Sequence, residues 1–562
     1  MGKLTDAWGY YRQFTGRAFS PVDTGRRGRF WCYTAVALYF GLASTLLMML
    51  IKVWYYRTGV STMASFAAMA VVAPVVVYQG IKLWVIKAPT MTITRSSQRS
   101  KLSWKIIVVV GVILSVYFLG ELMAYYPGAM GLDSIQQWNQ VVAGDFNNWH
   151  PALHTMMIWV VYQIVPNYSF FLGFQMVVFS FVFGYAVASL VAWGFRRGWV
   201  GLFILVAIGA HSTGRILLHP WKDTTFMILM VWLAVLMLNI VFTQGAWFGR
   251  WYNATAVAIV VALLSTVRHN GIFLTVPFVI VLVIFYRGAS RNVLLSILGA
   301  VLIWLGFTQG LYRLADVERT QSQTYVEVVG LPMVMMGEVM VSNPEALDPD
   351  TRDFLLSITT EERWQELYET GNFNYVKWQN NANGAIAEVP PGDLASMTLR
   401  TIRHAPEESI TALAALTRVV WSPFDWQYSV GFWIGDYAKD VTYTDAQVEA
   451  MKPITKPVGF VYKIVHGVIG GVLPDRIMSS IGLHMLILLM LGIYSLGRGI
   501  GFKTLFVMVP ILAYNIGTML LLCGPDYRYF QFTVVISVLL VFAMLARPVG
   551  DLSPGDDKEA KQ

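Results

Sequence analysis

Cysteine is nearly missing from this chain. The 562 residues contain two, Cys32 and Cys523. They are far apart and lie in or at the end of apolar runs, which excludes a disulfide framework and a cysteine-based metal site. Charge is scarce as well. Asp, Glu, Lys and Arg make up 13% of the chain, about half the share of a soluble globular protein. A soluble surface cannot be built on so little, so lipid must cover much of the molecule. Acidic residues are the rarer sign, 33 against 41 Lys and Arg, for a net charge of +8. That excess does not imply nucleic acid, because Lys and Arg gather in the cytoplasmic loops of membrane proteins. Internal repeats are absent, as is low-complexity sequence outside a short acidic–basic tail. A cleavable signal peptide is not expected. The first 29 residues are polar and basic, ending in Arg26-Arg27-Gly28-Arg29, and the apolar run that follows is long enough to span a membrane.

What is present is apolar: 56% of residues are hydrophobic and the mean hydropathy is +0.54. A helix needs about 20 mostly apolar residues to cross a bilayer. The chain reads as an all-α polytopic membrane protein with about twelve transmembrane helices, near 30–52, 63–86, 106–126, 169–194, 199–211, 224–243, 253–267, 271–287, 292–310, 481–497, 504–523 and 530–546. The short apolar run 153–166 follows Pro151 and is expected to lie on or dip into the outer surface. With the N-terminus inside, the loops 87–105, 195–198, 244–252, 287–291 and 498–503 and the tail from 547 each carry Lys or Arg, as the positive-inside rule requires. Counting 153–166 as a span would place Arg196-Arg197 outside and break that pattern. The chain therefore divides into a cytoplasmic segment 1–29, two spans and a basic loop over 30–105, a transmembrane core over 106–310 with an outer loop at 127–168, an extracytoplasmic region 311–480, spans over 481–546 and a cytoplasmic tail 547–562. The region 311–480 has weak strand signals and mixed helical patterns, so it should form short helices packed on the membrane surface. Its aromatic stretch Trp421–Tyr428 is either part of a pocket lid or, as the enrichment of Trp and Tyr at lipid interfaces favours, an interfacial belt.

Ionisable groups at the edges of spans are costly, roughly 2.5–3.5 kcal/mol at the bilayer centre on insertion scales, and so mark candidate sites. Asp133, in Gly131-Leu-Asp-Ser-Ile, either caps a helix or serves as a general base for a hydroxyl nucleophile. His150 and His154 flank Pro151; hydrogen-bonded positioning suits them better than a shared metal. Lys222-Asp223 opens a span, either as an interface pair with a snorkelling lysine or as a second carboxylate and a cation facing the Asp133 cavity. Asp223 also gains from the dipole of its own helix. Arg268, in Arg268-His-Asn270, and Arg528, in Asp526-Tyr-Arg-Tyr-Phe, run against the positive-inside bias. Each needs either an ion-pair partner such as Asp223 or Asp526, or an anionic head group, since guanidinium grips phosphate in a bidentate way. The amides around Gln137, and Trp138 or Trp149, suit sugar hydroxyls and sugar rings, or else simply solvate a loop.

The order of Gly131-Leu-Asp-Ser-Ile, Asn148-Trp-His-Pro, Pro220-Trp-Lys-Asp, Arg268-His-Asn-Gly and Pro525-Asp-Tyr-Arg-Tyr-Phe resembles the GT-C superfamily of polyprenyl-phosphate-dependent glycosyltransferases. That superfamily includes protein O-mannosyltransferases and aminoarabinose transferases, and the likeness is greatest to a Gram-positive bacterial branch. It runs from about residue 106 to 546. The resemblance implies an extracytoplasmic active site in a multi-pass cell-membrane enzyme with both termini cytoplasmic. It implies an inverting transfer of sugar from a polyprenyl-phosphate donor to a cell-envelope glycan, lipid or protein. Asp133, Asp223 and His150 would be catalytic, Lys222, Arg268 and Arg528 would hold the donor phosphate, and Trp138, Gln137, His154 and Asn270 would meet acceptor or sugar. The expected partners are the polyprenyl-phosphate-linked sugar, the cell-envelope acceptor and membrane lipid, with no nucleic acid. No cofactor is required with certainty. A divalent metal is not favoured, because the second acid follows Lys222 instead of standing in an acidic pair. The competing expectation is a transporter or flippase of lipid-linked glycan, which would share the anion-binding arginines but should show matched broken helices near the midplane.

Overall fold

The computed structural model describes residues 93–95, 101–423 apart from isolated positions, 478–497 and 505–548. The expected spans 30–52 and 63–86, the segments 1–29 and 498–503, most of the loop 87–105 and of the tail, and the aromatic belt beyond Pro423 lie outside the described residues. The described chain is helical, apart from one parallel pairing of Ile93–Arg95 with Ala546–Pro548. Five helices are long and apolar enough to cross a membrane: Trp104–Ala124, Tyr168–Ala192, Lys222–Phe242, His269–Tyr286 and Arg291–Leu314. They match the runs expected near 106–126, 169–194, 224–243, 271–287 and 292–310. The other expected spans within the described residues form shorter apolar helices.

In chain order, α1 (Trp104–Ala124), α2 (Leu132–Ala143), α3 (Ala152–Tyr162) and α4 (Tyr168–Ala192) are followed by α5 (Arg197–Ile208) and α6 (Lys222–Phe242). Then come α7 (Trp251–Val267), α8 (Ile272–Tyr286) and α9 (Ser290–Leu305), which continues through a π-turn over Gly306–Leu311. Between α9 and the last three helices lie α10 (Gly330–Ser342) and α11 (Pro406–Trp421), and α12 (Ile481–Gly497), α13 (Leu505–Met519) and α14 (Phe532–Leu545) complete the bundle.

Burial along these helices explains their places. The apolar window of α6 is 83% buried and packs against α4, α7, α13 and α14. It is the centre of the bundle. The Arg291–Leu314 helix is 17% buried and presents Leu298, Leu302 and Trp304 outward, the pattern of a lipid-facing periphery. α1 and α4 approach closely at Gly184, where a Cβ would stand 2.7 Å from the Ile107 carbonyl oxygen; small residues at such points let membrane helices meet. The run expected to lie on the surface forms the short α3. Its residues His154 and Thr155 are fully buried, and it packs on α2, α4 and α7.

The helix directions gather the edge residues at one end of the bundle. α6 runs away from Lys222-Asp223, α7 returns to Arg268, and α14 leads away from Arg528 to the strand pairing at Ala546. The pairing therefore sits at the opposite end of α14 from Arg528. Above the polar end, α10 is wrapped by short helices. Asp348 caps one of them by accepting from the Thr351 amide at 3.2 Å. Trp364 is fully buried, donates from its indole to the Leu355 carbonyl at 2.9 Å and stacks on Phe373.

Candidate functional site

Four separate elements deliver charge to one place. Asp133 stands in the first turn of α2 and Asp223 in the first turn of α6, where each carboxylate meets the positive end of its own helix. Arg268 follows the last residue of α7, and Arg528 lies in the short turn Tyr527–Phe530 ahead of α14. Asp133 Oδ2 takes two cations, Lys222 Nζ at 3.3 Å and an Arg528 guanidinium nitrogen at 3.0 Å. Arg528 Nε lies 2.8 Å from Asp526 and 3.7 Å from Asp223. Asp223 forms a direct ion pair with Arg268. The five edge residues expected to converge do so, with Arg528 as the link between the two carboxylates.

The members differ in access. Side chains of Asp133, Arg528 and Lys222 remain 25%, 17% and 13% exposed, whereas Asp223 and Arg268 are 1% and 5% exposed. The inner pair is sealed under the outer trio. Asp223 and Arg268 therefore hold Arg528 in place from below and do not open to a substrate. Burial works against ionisation of Asp133, but the charges of Arg528 and then Lys222 outweigh it and hold the carboxyl well below its usual range.

The tautomer of His150 follows from its partners. Lys222 has only donors, and its ammonium lies 2.8 Å from His150 Nδ1, so Nδ1 accepts. Nε2 then carries the proton and donates to Gln136 Oε1 at 3.0 Å. Burial, then the Lys222 charge, lowers the pKa of this imidazole to about 3. A neutral ring with its acceptor nitrogen occupied positions Lys222 and has no free lone pair for a substrate proton. Because the unfolded chain binds a proton at His150 near pH 6.5 and the folded one does not until about pH 3, this group favours folding fully above pH 6.5 and progressively less as the pH falls. His150→Asn should therefore shallow the loss of thermal stability between pH 6.5 and 4 in detergent; an unchanged slope would contradict the neutral assignment.

Several expected sugar contacts are placed elsewhere. Trp138 is buried, edge-to-face with Tyr162 and Tyr168. Gln137 is buried and donates to His154 Nδ1 at 3.1 Å and Thr155 Oγ1 at 2.9 Å. These three side chains lock α2 onto α3 and α4 and have no surface left for a ligand. Asn270 is half-buried two residues after Arg268, in a turn made tight by Gly271, where a Cβ would collide with the Leu264 carbonyl oxygen. Trp149, half-buried and stacked on His150 at 5.9 Å between ring centres, is the aromatic at the site's edge.

Residues outside the expected set complete the cluster. The Tyr529 ring lies 4.4 Å from the Arg268 guanidinium carbon and 5.0 Å from that of Arg528, and its hydroxyl accepts from Arg528 at 3.0 Å. Trp221 faces Arg528 at 5.3 Å. Guanidinium over aromatic faces is favourable when desolvated, and the sequence signal was there in the tyrosines flanking Arg528. The segment between α9 and α12 clamps the chain leading into this turn. The Phe373 amide donates to the Cys523 carbonyl at 2.6 Å, and Gly330 and Gly524 admit backbone and asparagine contacts that a Cβ would block. Lys377, paired with Glu327 at 2.7 Å, adds a further cation within electrostatic range of Asp133.

Among the described residues, no group of three or more His, Cys, Asp or Glu side chains is arranged to hold a metal. Residues 146–383 match the model of a family of unknown function, DUF6020; the matched stretch includes His150, Lys222, Asp223, Arg268 and Lys377 and leaves Asp133 and Arg528 outside it. No curated protein and no solved structure matches the chain.

Proposed function

We propose that this membrane-embedded protein is a glycosyltransferase that moves a sugar from a polyprenyl-phosphate donor to a cell-envelope acceptor at the extracytoplasmic face. The observation that supports it best is the outer trio: one reachable carboxylate held between two reachable cations, at the end of an apolar bundle where a lipid phosphate would lie. Lys222 and Arg528 bind the phosphate of the donor, and Trp149 stacks on the sugar. The acceptor hydroxyl gives its proton to Asp133. Its oxygen bonds to the anomeric carbon from one side as the bond from that carbon to the phosphate oxygen breaks on the other, which inverts the configuration. The electron pair leaves with the polyprenyl phosphate, and the two cations stabilise the charge that grows there, an arrangement usually worth more than any other single contribution. Asp223 and Arg268 position Arg528; His150 positions Lys222. No step is routed through a metal.

The test is a transfer assay. Membranes carrying the protein and an equal amount of membranes without it are given polyprenyl phosphate bearing a labelled sugar. Label should pass to a cell-envelope fraction only where the protein is present, and unlabelled polyprenyl phosphate should accumulate in step. Movement of intact donor across the bilayer with no loss of its sugar would instead support a flippase.

A further inference from the structure

Both cations of the outer trio converge on one oxygen of Asp133. Lys222 and Arg528 contact Oδ2, while Oδ1 makes no ion pair or hydrogen bond among the described residues. The charges around the carboxylate nearly cancel. Arg528 is also shared with Asp526 and Asp223, Arg268 is spent on Asp223, and Lys377 is matched by Glu327. A phosphate entering this cluster finds no uncommitted cation, and an anion added to a balanced, partly buried set must displace one already there. Asp133 is the anion that contacts both reachable cations, whereas Asp526, though more exposed, contacts Arg528 alone. Asp526 is the alternative, but it is tied to the Arg528 backbone amide at 3.0 Å as well as to its side chain, so it is the harder one to move.

We infer that Asp133 is a built-in stand-in for the substrate phosphate: it occupies the Lys222–Arg528 anion site at rest and is displaced by a phosphate monoanion or dianion, which converts it from a clamped ion into a free base. This rests on the proposed glycosyl transfer and adds an order to it, donor before acceptor. A carboxylate released from opposite charges within about 4–6 Å regains about 1–3 units of pKa, and with it the ability to take a proton from a hydroxyl. The acceptor would thus be activated only when a donor is in place, which guards against loss of the sugar to water. Facing Asp133 are His150 ahead of α3, Lys222 from α6 and Arg528 from the turn before α14, with Lys377 of the segment between α9 and α12 farther off. His150 stays neutral above about pH 4, so the change reports on the cations.

The experiment labels the full-length protein in detergent with a hydrophobic carbodiimide, which reacts with protonated carboxyls, and follows the Asp133 peptide by mass spectrometry from pH 4 to 9. Four arms are compared: no addition, polyprenyl phosphate, neutral polyprenol, and inorganic phosphate. Asp133, held ionised at rest, should label little across this range; polyprenyl phosphate should bring its labelling into the acid end of the range, a rise of about 1–3 pH units, and polyprenol should not. Lys222→Gln should raise the midpoint with no lipid added and shrink the further response; Asp133→Asn serves as the blank. If polyprenyl phosphate is retained by the wild type and lost from Arg528→Gln, yet Asp133 labelling does not move, the exchange is overturned and the glycosyl-transfer proposal stands. If polyprenol moves it equally, the effect comes from the tail and the exchange is again overturned. If no polyprenyl phosphate is retained at all, both fall. An equal shift with inorganic phosphate supports the exchange and removes the lipid tail from recognition.

Discussion

Asp133→Asn should lower sugar transfer by about 10²–10⁴-fold, the usual contribution of a positioned acid or base, while expression and membrane insertion hold. The side chain is a quarter exposed and fills no core position, so removing its charge leaves the fold intact. The kinetic pattern carries more information than the loss. Asparagine cannot take the proton, so kcat falls. It also cannot compete for Lys222 and Arg528 as a carboxylate does, so the donor KM should stay level or drop. A fall in kcat with an unchanged or lower KM is what removing a transition-state role, together with a ground-state competitor, produces. A raised donor KM would mean that Asp133 organises the cations for phosphate binding and is not their resting occupant. Transfer near the wild-type rate would sink the base assignment altogether. Asp133→Glu, one methylene longer, should keep a measurable fraction of activity if the carboxylate is the working group.

Much of this arrangement was legible in the sequence because membrane insertion is severe about where polar groups stand. Apolar runs of 20 or so residues mark α1, α4 and α6 to within a few positions. The same severity makes Asp223, Arg268 and Arg528 conspicuous at span ends, and the topology that orders the spans puts them on one side. What the sequence left open was the side of each helix. α2 carries polar residues at 133, 134, 136, 137, 139 and 140, wrapping most of its circumference, so no periodicity separates the edge facing Lys222 from the edge facing α3. Gln137 and Trp138 turn inward and Gln136 turns toward His150, a difference of about 100° per residue that composition does not encode. His154 was similarly ambiguous: a histidine one turn into an apolar helix serves a site or a core, and the Gln137 amide that selects the core lies in a different helix. The reach of the segment between α9 and α12 to Lys377 and Cys523 depends on contacts more than 140 residues apart in the chain, between Phe373 and Cys523, and no local pattern announces them.

The buried pair beneath the site gives the second large effect, on stability. Asp223→Asn leaves the Arg268 guanidinium, 5% exposed, inside the bundle with no full counter-charge. Removing one partner of a buried ion pair costs about 3–5 kcal/mol, because the remaining charge stays desolvated. The two aromatic faces against Arg268, Tyr529 at 4.4 Å and Phe226 at 5.7 Å, offset part of this, about 0.5–2 kcal/mol at most, so the net loss stays large. The double variant Asp223→Asn/Arg268→Gln separates the two explanations for such a loss. If the damage is an orphaned charge, neutralising Arg268 restores part of the thermal midpoint in detergent, and the double variant melts above the Asp223→Asn single. If Asp223 matters only for packing at the head of α6, the two losses add and the double melts lowest, with a coupling energy near zero. Transfer should stay impaired in both cases, since Arg528 Nε loses its link to the Asp223 carboxylate, 3.7 Å away. Recovered stability without recovered activity is therefore the expected signature of a pair whose place is to hold Arg528, and through it the anion site, at the end of the bundle.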